Sequence, residues 1–310
     1  MHLYIMETLG TSHTLNSGHT CPLLGLGTVS VKAVDEVVYN SIKDGTRMID
    51  TADAYGNEVE IGRGIARAIN EGLVKREDLF IITKLNARER DDPEAQIKKS
   101  IEKLGLTYID LYLDHWPLFI QYKNGEMVKN APLHVTWRKM ESFVEQGLTR
   151  SIGVSNYNVQ SLCNLLSFCT IKPSFLEVEF HPYLYQKNLL EFCRSQNIKV
   201  LAYNPMVKGS YCKQYHSQEP SDLLNETIIK ELSEKYQKTP GQIVLNWSVC
   251  LGAIPIPSTS NVNRMKENII ACQFKMSDDD VNRISALNKN YRFCPSTNWP
   301  ATFAWIDLHA

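Results

Sequence analysis

The sequence predicts one (β/α)8 barrel, a closed sheet of eight parallel strands surrounded by helices. Eight short apolar segments with strand character alternate with amphipathic helical patterns, and no linker separates them. This alternation is typical of one parallel sheet covered by helices, and 310 residues is an ordinary length for such a barrel. An open doubly wound sheet is the alternative. The glycine motif GxGxxG, by which such sheets bind dinucleotides, is incomplete here, because GLGTVS at 25–30 has Ser30 in place of the third glycine.

The eight predicted strands are apolar runs of five to eight residues, and we treat residues 1–310 as one domain. Residues 1–12 are expected to form a flexible N-terminal extension. A hairpin turning at 16–18 follows and could plug the floor of the barrel. The predicted strands are 22–29, 46–50, 79–85, 108–114, 150–154, 174–179, 198–203 and 252–256.

The helices between these strands carry recognisable start and stop signals. The segment 33–45 has apolar residues at helical spacing and ends on Gly45, a typical C-terminal cap. In the segment 91–105, Asp92 is placed as the N-cap, Pro93 as the first helical residue and Gly105 as the stop. These signals predict amphipathic helices that cover the outside of the barrel.

Composition excludes several classes of partner. The formal net charge of -1 gives no broad attraction to nucleic acid or to an anionic membrane surface, and no apolar run approaches the length of a membrane span. The 8 cysteines are scattered without a CxxC pair, and the start of the chain lacks signal-peptide features. The 8 histidines form no HExxH motif. We therefore expect a cytoplasmic protein without a metal site that binds a small molecule.

Four polar residues follow or end three of the predicted strands. Asp50 closes one strand, Tyr55 follows it in the next loop, Lys84 lies near the end of another, and His115 follows a third. The carboxyl ends of barrel strands meet at one mouth, where barrel enzymes place their chemistry. Each residue alone has a commoner explanation, such as a turn-forming Asp or a solvated Lys. Together they predict a proton donor: the ammonium favours the phenolate, the carboxylate holds the ammonium, and a neutral imidazole orients a carbonyl group.

The sequence resembles the aldo-keto reductase superfamily from about Thr14 to Trp299. The resemblance implies NADPH-dependent reduction of aldehydes and ketones in a (β/α)8 barrel, with Tyr55 as proton donor and with Asp50, Lys84 and His115 completing a catalytic tetrad. The matching motifs are LGLGT (24–28), MIDTADAYGNE (48–58), IITKL (81–85), DLYLDHWP (110–117), IGVSNY (152–157), EFHPYLYQ (179–186), AYNPM (202–206) and RMKEN (264–268).

The resemblance also implies where the cofactor binds. Ser155 and Asn156 resemble the pair that holds the nicotinamide carboxamide, although they could also be an ordinary helix N-cap. Tyr203 corresponds to the aromatic residue that stacks on the nicotinamide ring. Arg264 matches the arginine of the 2'-phosphate site. The remaining expected cofactor positions are Gly27, Thr28, Glu177, Asn204, Met206, Ser210, Ser258, Thr259, Glu267 and Asn268.

Two departures from the family pattern concern the cofactor. Glu177 stands where relatives usually carry a glutamine that contacts the carboxamide. If ionised, it would favour the positively charged oxidised ring, so we expect weaker discrimination for NADPH over NADP+. Ser258 takes the place of a common lysine, while Arg264 can still bind the 2'-phosphate. We expect NADPH to be preferred, with NADH as a weaker alternative.

Other departures concern the substrate pocket. Val29 and Asn86 stand where the aldose-reductase branch commonly has tryptophans, and Trp116 is retained. The segment 118–132 is the expected lid loop. Phe293, Cys294 and Trp299 in the C-terminal segment are the remaining candidate pocket residues.

Asp114 stands before His115, where relatives usually carry an aliphatic residue. Strand alternation predicts that it faces the helix layer, where a buried carboxylate needs a partner that the sequence does not name; the alternative is that it is solvated at the end of the strand.

The leading functional prediction is a reductase of aldoses or other small carbonyl compounds, acting as a monomer or dimer. The alternative is a cofactor-binding sensor or regulatory subunit with little catalytic activity. The intact tetrad favours the enzyme, because a sensor does not require all four residues.

Overall fold

An eight-stranded parallel sheet forms the centre of the protein in the computed structural model, which describes residues 12–87, 90–117, 120–123, 126–130, 132–207 and 222–294. The strands lie side by side in the order in which they occur along the chain. The connection between the fourth and fifth strands contains a separate two-stranded hairpin. The strands of this sheet are β3 (Leu26–Gly27), β4 (Met48–Asp50), β5 (Phe80–Leu85), β6 (Ile109–Asp114), β9 (Thr149–Ser155), β10 (Phe175–Glu179), β11 (Lys199–Tyr203) and β12 (Ala253–Pro255).

The two edges of the sheet meet and close the barrel. The amide of Gly25 donates to the carbonyl oxygen of Pro255 at 3.0 Å, and that of Gly27 donates to Pro257 at 3.1 Å. Gly27 also bridges in parallel to Ser258. A Cβ atom at Gly27 would lie 2.7 Å from the carbonyl oxygen of Ile256, so only glycine permits this approach. The predicted (β/α)8 barrel is confirmed.

Helices connect the strands as the sequence predicts. The signals around Pro93 are confirmed: the Asp92 carboxylate accepts a hydrogen bond from the amide of Ala95 at 3.0 Å, and Gly105 ends the helix at φ 64. In the described part of the chain, no helix is long and apolar enough to cross a membrane. The helices are α1 (Val34–Lys43), α2 (Glu58–Asn70), α3 (Pro93–Leu104), α4 (Leu133–Glu145), α5 (Val159–Leu166), α6 (Lys187–Ser195), α7 (Thr227–Tyr236), α8 (Pro240–Cys250), α9 (Val262–Ile270) and α10 (Asp278–Ser285).

Apolar side chains pack on both faces of the sheet. Strand β6 shows the alternation, because Leu111 and Leu113 belong to the cluster inside the barrel whereas Tyr112 packs in the cluster beneath the helices. The same alternation places Asp114 on the helix side, as predicted.

An N-terminal hairpin closes the floor of the barrel, as the sequence predicts. It consists of β1 (Ser12–Thr14) and β2 (Thr20–Pro22), so Ser12 already belongs to a strand, whereas residues 1–11 lie outside the described residues. At its turn, Asn16 Nδ2 donates to the carbonyl oxygen of Pro173 at 2.9 Å. Leu15 and Cys21 pack with the inner cluster. The opposite, carboxyl end of the barrel is therefore the mouth.

The segment expected to form a lid loop contains a second hairpin, β7 (Ile120–Lys123) and β8 (Glu126–Asn130). Other residues of that segment, 118–119, 124–125 and 131, lie outside the described ranges. Main-chain pairing, which the sequence analysis did not predict, therefore organises the described part of the segment.

Candidate active site

Asp50 and Lys84 form a buried ion pair at the mouth. They come from adjacent parallel strands, β4 and β5. Lys84 Nζ lies 2.5 Å from Asp50 Oδ1 and 3.0 Å from the carbonyl oxygen of Thr51. Lys84 is 0% exposed and Asp50 3%. Burial alone would lower the pKa of Lys84, but the neighbouring carboxylates raise it, so the ammonium form is retained.

Tyr55 lies beside this pair on the single 3-10 turn that follows β4. Its hydroxyl oxygen is 3.4 Å from Lys84 Nζ. Asn57 fastens the turn to the barrel, since Asn57 Nδ2 donates to the carbonyl oxygen of Thr28 at 3.0 Å and Thr51 Oγ1 donates to Asn57 Oδ1 at 2.7 Å. The predicted neighbourhood of a phenol, an ammonium and a carboxylate therefore exists.

His115 completes the cluster from the end of β6. Its ring meets the Tyr55 ring edge to face, with 5.7 Å between centroids. Burial lowers the pKa of His115 well below its usual value, and the positive charges of Lys84 and Arg90 lower it further. The imidazole is therefore neutral at physiological pH, as the proposed role in orienting a carbonyl group requires.

The expected acidity of Tyr55 is not what the structure shows. Burial raises the pKa of Tyr55, Lys84 lowers it, and Asp50 and Glu177 raise it further, so that the net change is upward. The expectation that the ammonium makes this phenol acidic is wrong for the net effect, because removal of the hydroxyl from water outweighs the charge of Lys84. Tyr55 is protonated in the free protein.

Glu177 is the second acid, and the sequence analysis placed it at the cofactor but did not predict its contact with Lys84. Its Oε1 lies 3.3 Å from Lys84 Nζ, and the side chain is buried on the inner face of β10. Its other oxygen, Oε2, accepts no hydrogen bond from a donor within the described residues. Burial and the charge of Asp50 raise the pKa of Glu177 to about 8. The register of the sheet could have indicated where Glu177 lies, since Glu177 pairs with Ser155 on the neighbouring strand β9.

The positions expected to hold the nicotinamide lie together beside Glu177. The amide of Asn156 donates to the carbonyl oxygen of Glu177 at 2.8 Å. The Asn156 side chain donates to the carbonyl oxygen of His115 and to Ser155 Oγ, both at 3.0 Å, and accepts from the Tyr203 hydroxyl at 3.0 Å. Asn156 is thus held in place by three side-chain bonds, and its backbone adopts φ 63.

The remaining cofactor positions lie at the ends of the first and last strands, just after β11, and on α9. Thr28 is buried, and its hydroxyl donates to the carbonyl oxygen of Asp50 at 2.8 Å. Arg264 is exposed in the first turn of α9, whose N-cap Asn261 accepts from the amides of residues 263 and 264. Asn268 on the same helix is 7% exposed. Ser258 is exposed, whereas Thr259, Glu267, Asn204 and Met206 are half-buried, and Ser210 lies outside the described residues.

Several candidate substrate residues surround the mouth. Val29 is 36% exposed, and Trp116 is half-buried with its ring 6.3 Å from that of His115. Asn86 Nδ2 donates to Asp53 Oδ2 at 3.2 Å, in the turn that carries Tyr55. Cys294 is half-buried, whereas Phe293 is 3% exposed and packs against His181. Trp299 lies outside the described residues.

Glu179 at the end of β10 holds the C-terminal segment against the barrel, and sequence reasoning missed this role. Its Oε1 accepts from the amide of Phe293 at 2.9 Å, and Oε2 accepts from that of Cys294 at 3.0 Å. His181 Nε2 lies 3.0 Å from Oε1. Burial would raise the pKa of Glu179, but these contacts hold it below its usual value. Glu179, the first residue of the motif EFHPYLYQ, thus binds residues 293–294 to the mouth of the barrel.

Asp114 has the partners that the sequence did not name. Arg90, from the loop after β5, donates to it, and the Tyr157 hydroxyl donates to Asp114 Oδ2 at 2.7 Å. Arg90 also donates to the carbonyl oxygen of Trp116. This buried pair fixes the chain on both sides of His115 from the helix side.

A model of the aldo/keto reductase family matches residues 9–289, most of the chain. The chain belongs to the aldo/keto reductase family. It is an oxidoreductase that acts on the carbonyl groups of small molecules, and the tetrad geometry stands at the mouth of its barrel.

Curated relatives of this aldo/keto reductase cover nearly its full length. One is an NAD(P)H-dependent D-xylose reductase from Pyricularia oryzae, 39% identical over 93% of this chain and 96% of its own. Another is the 4-dihydromethyl-trisporate dehydrogenase of Mucor mucedo, 37% identical over 94% of this chain and 96% of its own. A solved aldo-keto reductase from Bombyx mori, in complex with NADP, is 36% identical, has a TM-score of 0.87, and is matched over 94% of this chain and 97% of its own.

Proposed function

We propose that this reductase converts small aldehydes and aldoses to alcohols with NADPH, with Tyr55 as the proton donor. The observation that carries the assignment is the contact of 3.4 Å between the Tyr55 hydroxyl and Lys84 Nζ, with that lysine held by Asp50 at 2.5 Å. A mobile surface lysine would not hold such a position. This lysine is fixed by burial and by three oxygen atoms.

The described residues fit an NADP(H) molecule. Glu177 Oε2 is a buried polar atom that accepts no hydrogen bond from the described donors, and it lies beside Ser155 and Asn156. These three residues would hold the nicotinamide carboxamide. In the described part of the chain, the guanidinium of Arg264 makes no ion pair, so it can bind the 2'-phosphate. Bound NADPH supplies the hydride that adds to the carbonyl carbon.

The chain itself handles the proton. Tyr55 donates its phenolic proton to the carbonyl oxygen, and the ammonium of Lys84 stabilises the phenolate that remains. Asp50 keeps Lys84 aimed at the phenol. The neutral imidazole of His115 donates a hydrogen bond that orients the carbonyl oxygen.

The preference for small or polyhydroxylated substrates is supported by the rim of the mouth. Val29 and Asn86 occupy positions where the aldose-reductase branch carries indoles, so there is less aromatic surface for stacking and one more polar amide. Relatives that reduce D-xylose point the same way. Nothing in the fold, the site or the relatives favours the alternative of a silent sensor. We further propose that the chain works as one cytoplasmic domain, as a monomer or dimer.

The test is the loss of NADPH absorbance with xylose and with a small aromatic aldehyde. We expect turnover with both, with kcat/KM for NADPH above that for NADH by about tenfold, the effect of one charge-assisted contact to the phosphate. Tyr55→Phe should lower kcat by about a thousandfold, because the proton donor is removed.

The matched control is Tyr112→Phe, since Tyr112 is fully buried on the helix side and its hydroxyl has no partner within the described residues. This variant should keep wild-type turnover. A Tyr55→Phe enzyme as active as Tyr112→Phe would remove Tyr55 from its proposed role.

A further inference from the structure

The mouth of the barrel holds more acid than base. Two carboxyl groups, Asp50 and Glu177, face the ammonium of Lys84, and each of the three residues is at most 3% exposed. If both acids were ionised, the cluster would carry one unbalanced negative charge away from water. An uncompensated buried charge costs several kcal/mol, so one of the acids is expected to hold a proton.

The distances to the shared ammonium indicate which acid holds it. Asp50 accepts the direct 2.5 Å bond from Lys84, whereas Glu177 is 3.3 Å from the same nitrogen. The closer partner keeps its charge, and Glu177 carries the proton.

Glu177 also lies where the nicotinamide is proposed to bind. It pairs in register with Ser155, and its carbonyl oxygen accepts from the amide of Asn156. A protonated carboxyl group offers one donor and one acceptor, as an amide does, whereas a carboxylate offers acceptors only and a negative charge. The two forms therefore suit different rings: the neutral form suits a neutral ring and the charged form suits a cationic ring.

We propose that Glu177 distinguishes the oxidation states of the cofactor by its own protonation, remaining neutral beside the reduced ring and ionised beside the oxidised one. This inference rests on the proposed function, because it requires NADP(H) at this site. Binding of NADP+ to the protein with protonated Glu177 gives the complex with a Glu177 carboxylate and one released proton. No electrons move in this step, and binding of NADPH releases no proton from Glu177.

The other groups around Glu177 do not titrate near neutral pH. Lys84 and Tyr55 face it from β5 and from the 3-10 turn, Tyr203 faces it from β11, and burial or neighbouring charge raises the pKa of each. The neutral Ser155 faces it from β9. Burial raises the pKa of Asp50, from β4, while the Lys84 ammonium 2.5 Å away lowers it and favours the carboxylate. His115 is neutral throughout this range, since its pKa is lowered. Glu177 is therefore the group that changes charge.

The experiment measures the dissociation constants of NADP+ and NADPH from about pH 6.5 to about pH 9.5, by quenching of tryptophan fluorescence in the full chain. The ratio of the NADP+ constant to the NADPH constant should fall by about tenfold or more as the pH rises, because a carboxylate close to a cationic ring is worth at least one pKa unit. The 2'-phosphate is common to both ligands, so its titration cancels in the ratio.

Glu177→Gln keeps the amide-like hydrogen bonding without the ionisable group, so its ratio should stay constant within about twofold over the same range. The matched control is Glu179→Gln, which changes an equally buried glutamate two residues along the same strand. Glu179 is already ionised, so this variant should keep the wild-type dependence on pH.

Each outcome is decisive. A flat ratio in the wild type, or an unchanged slope in Glu177→Gln, would overturn the inference while leaving the reductase assignment intact. If neither nucleotide bound, the proposed function would fail and this inference would fall with it. Should Glu177→Gln not fold, calorimetry of the wild type in two buffers of different ionisation enthalpy measures the released proton directly, and no release on NADP+ binding at about pH 7 would contradict the proposal.

Discussion

Two clusters, each made of an aspartate, a basic residue and a tyrosine, lie on opposite faces of the barrel sheet near the carboxyl ends of its strands. The mouth triad, inside the barrel, is Asp50, Lys84 and Tyr55; the helix-side triad, beneath the helices, is Asp114, Arg90 and Tyr157.

The two triads differ in what happens to the phenolic proton. The Tyr157 hydroxyl donates to Asp114 at 2.7 Å, and burial together with that carboxylate raises the pKa of Tyr157 well above its usual value. The Tyr55 hydroxyl contacts the ammonium of Lys84 instead, and among the described residues no acceptor takes its proton. One proton is fixed within the protein, whereas the other remains available to a substrate. The partner of the hydroxyl group therefore separates the tyrosine proposed as proton donor from the structural one.

The largest expected effect comes from removing the base of the mouth triad. Lys84→Met should lower kcat/KM for carbonyl reduction by about a thousandfold, because the phenolate left by proton transfer loses its stabilising charge. Steady-state kinetics measures this loss. NADPH binding and thermal unfolding, followed in parallel, show whether the site is still formed. A variant that binds NADPH and keeps more than about a tenth of the activity would contradict the role of Lys84.

A smaller effect, on stability instead of chemistry, is expected on the helix side. Asp114→Asn leaves the buried guanidinium of Arg90 without its charge partner and should lower the free energy of unfolding by about 3 kcal/mol. Urea unfolding followed by circular dichroism measures it. Because this triad also fixes the chain around His115, we expect a modest loss of kcat as well, far below that of Lys84→Met. Equal losses of activity in Lys84→Met and Asp114→Asn would contradict the proposed difference between a reactive mouth triad and a structural helix-side triad.

The smallest effect is expected for the helix-side tyrosine. Tyr157→Phe removes one hydrogen bond to Asp114 while the bond from Arg90 remains, so unfolding should become easier by about 1 to 2 kcal/mol. Its kcat should stay within about twofold of the wild type, in contrast to Tyr55→Phe. A collapse of activity in Tyr157→Phe without loss of stability would mean that the helix-side triad takes part in the reaction.

Much of the fold could be predicted from local patterns. Strand and helix periodicity predicted the alternating elements, and Pro93 and Gly105 marked both ends of one helix. The four candidate tetrad residues could be selected because they lie at or soon after strand ends, and parallel strands bring such positions to one mouth. The hairpin β7–β8 was missed, because its segment was expected to form a loop.

The roles of three buried side chains could not be predicted in the same way. Arg90 lies in a charged stretch that reads as solvated surface, yet it is 3% exposed and neutralises Asp114. Glu179 holds main-chain amides 114 and 115 residues away along the chain. Contacts between distant segments leave no local pattern in a single sequence, so these roles appear only when the chain is folded.

The sequence by itself predicted the closed barrel, and its motifs indicated the family, the candidate proton donor and its neighbours, because periodicity and motifs are local properties of the chain. Only the tertiary structure decided the charge states. Burial raises the pKa of Tyr55 against the expected influence of Lys84, and burial together with the charge of Asp50 raises the pKa of Glu177 to about 8 although Lys84 lowers it. The physical reason is that a pKa depends on how far a group is removed from water and on which charges lie within a few ångströms of it.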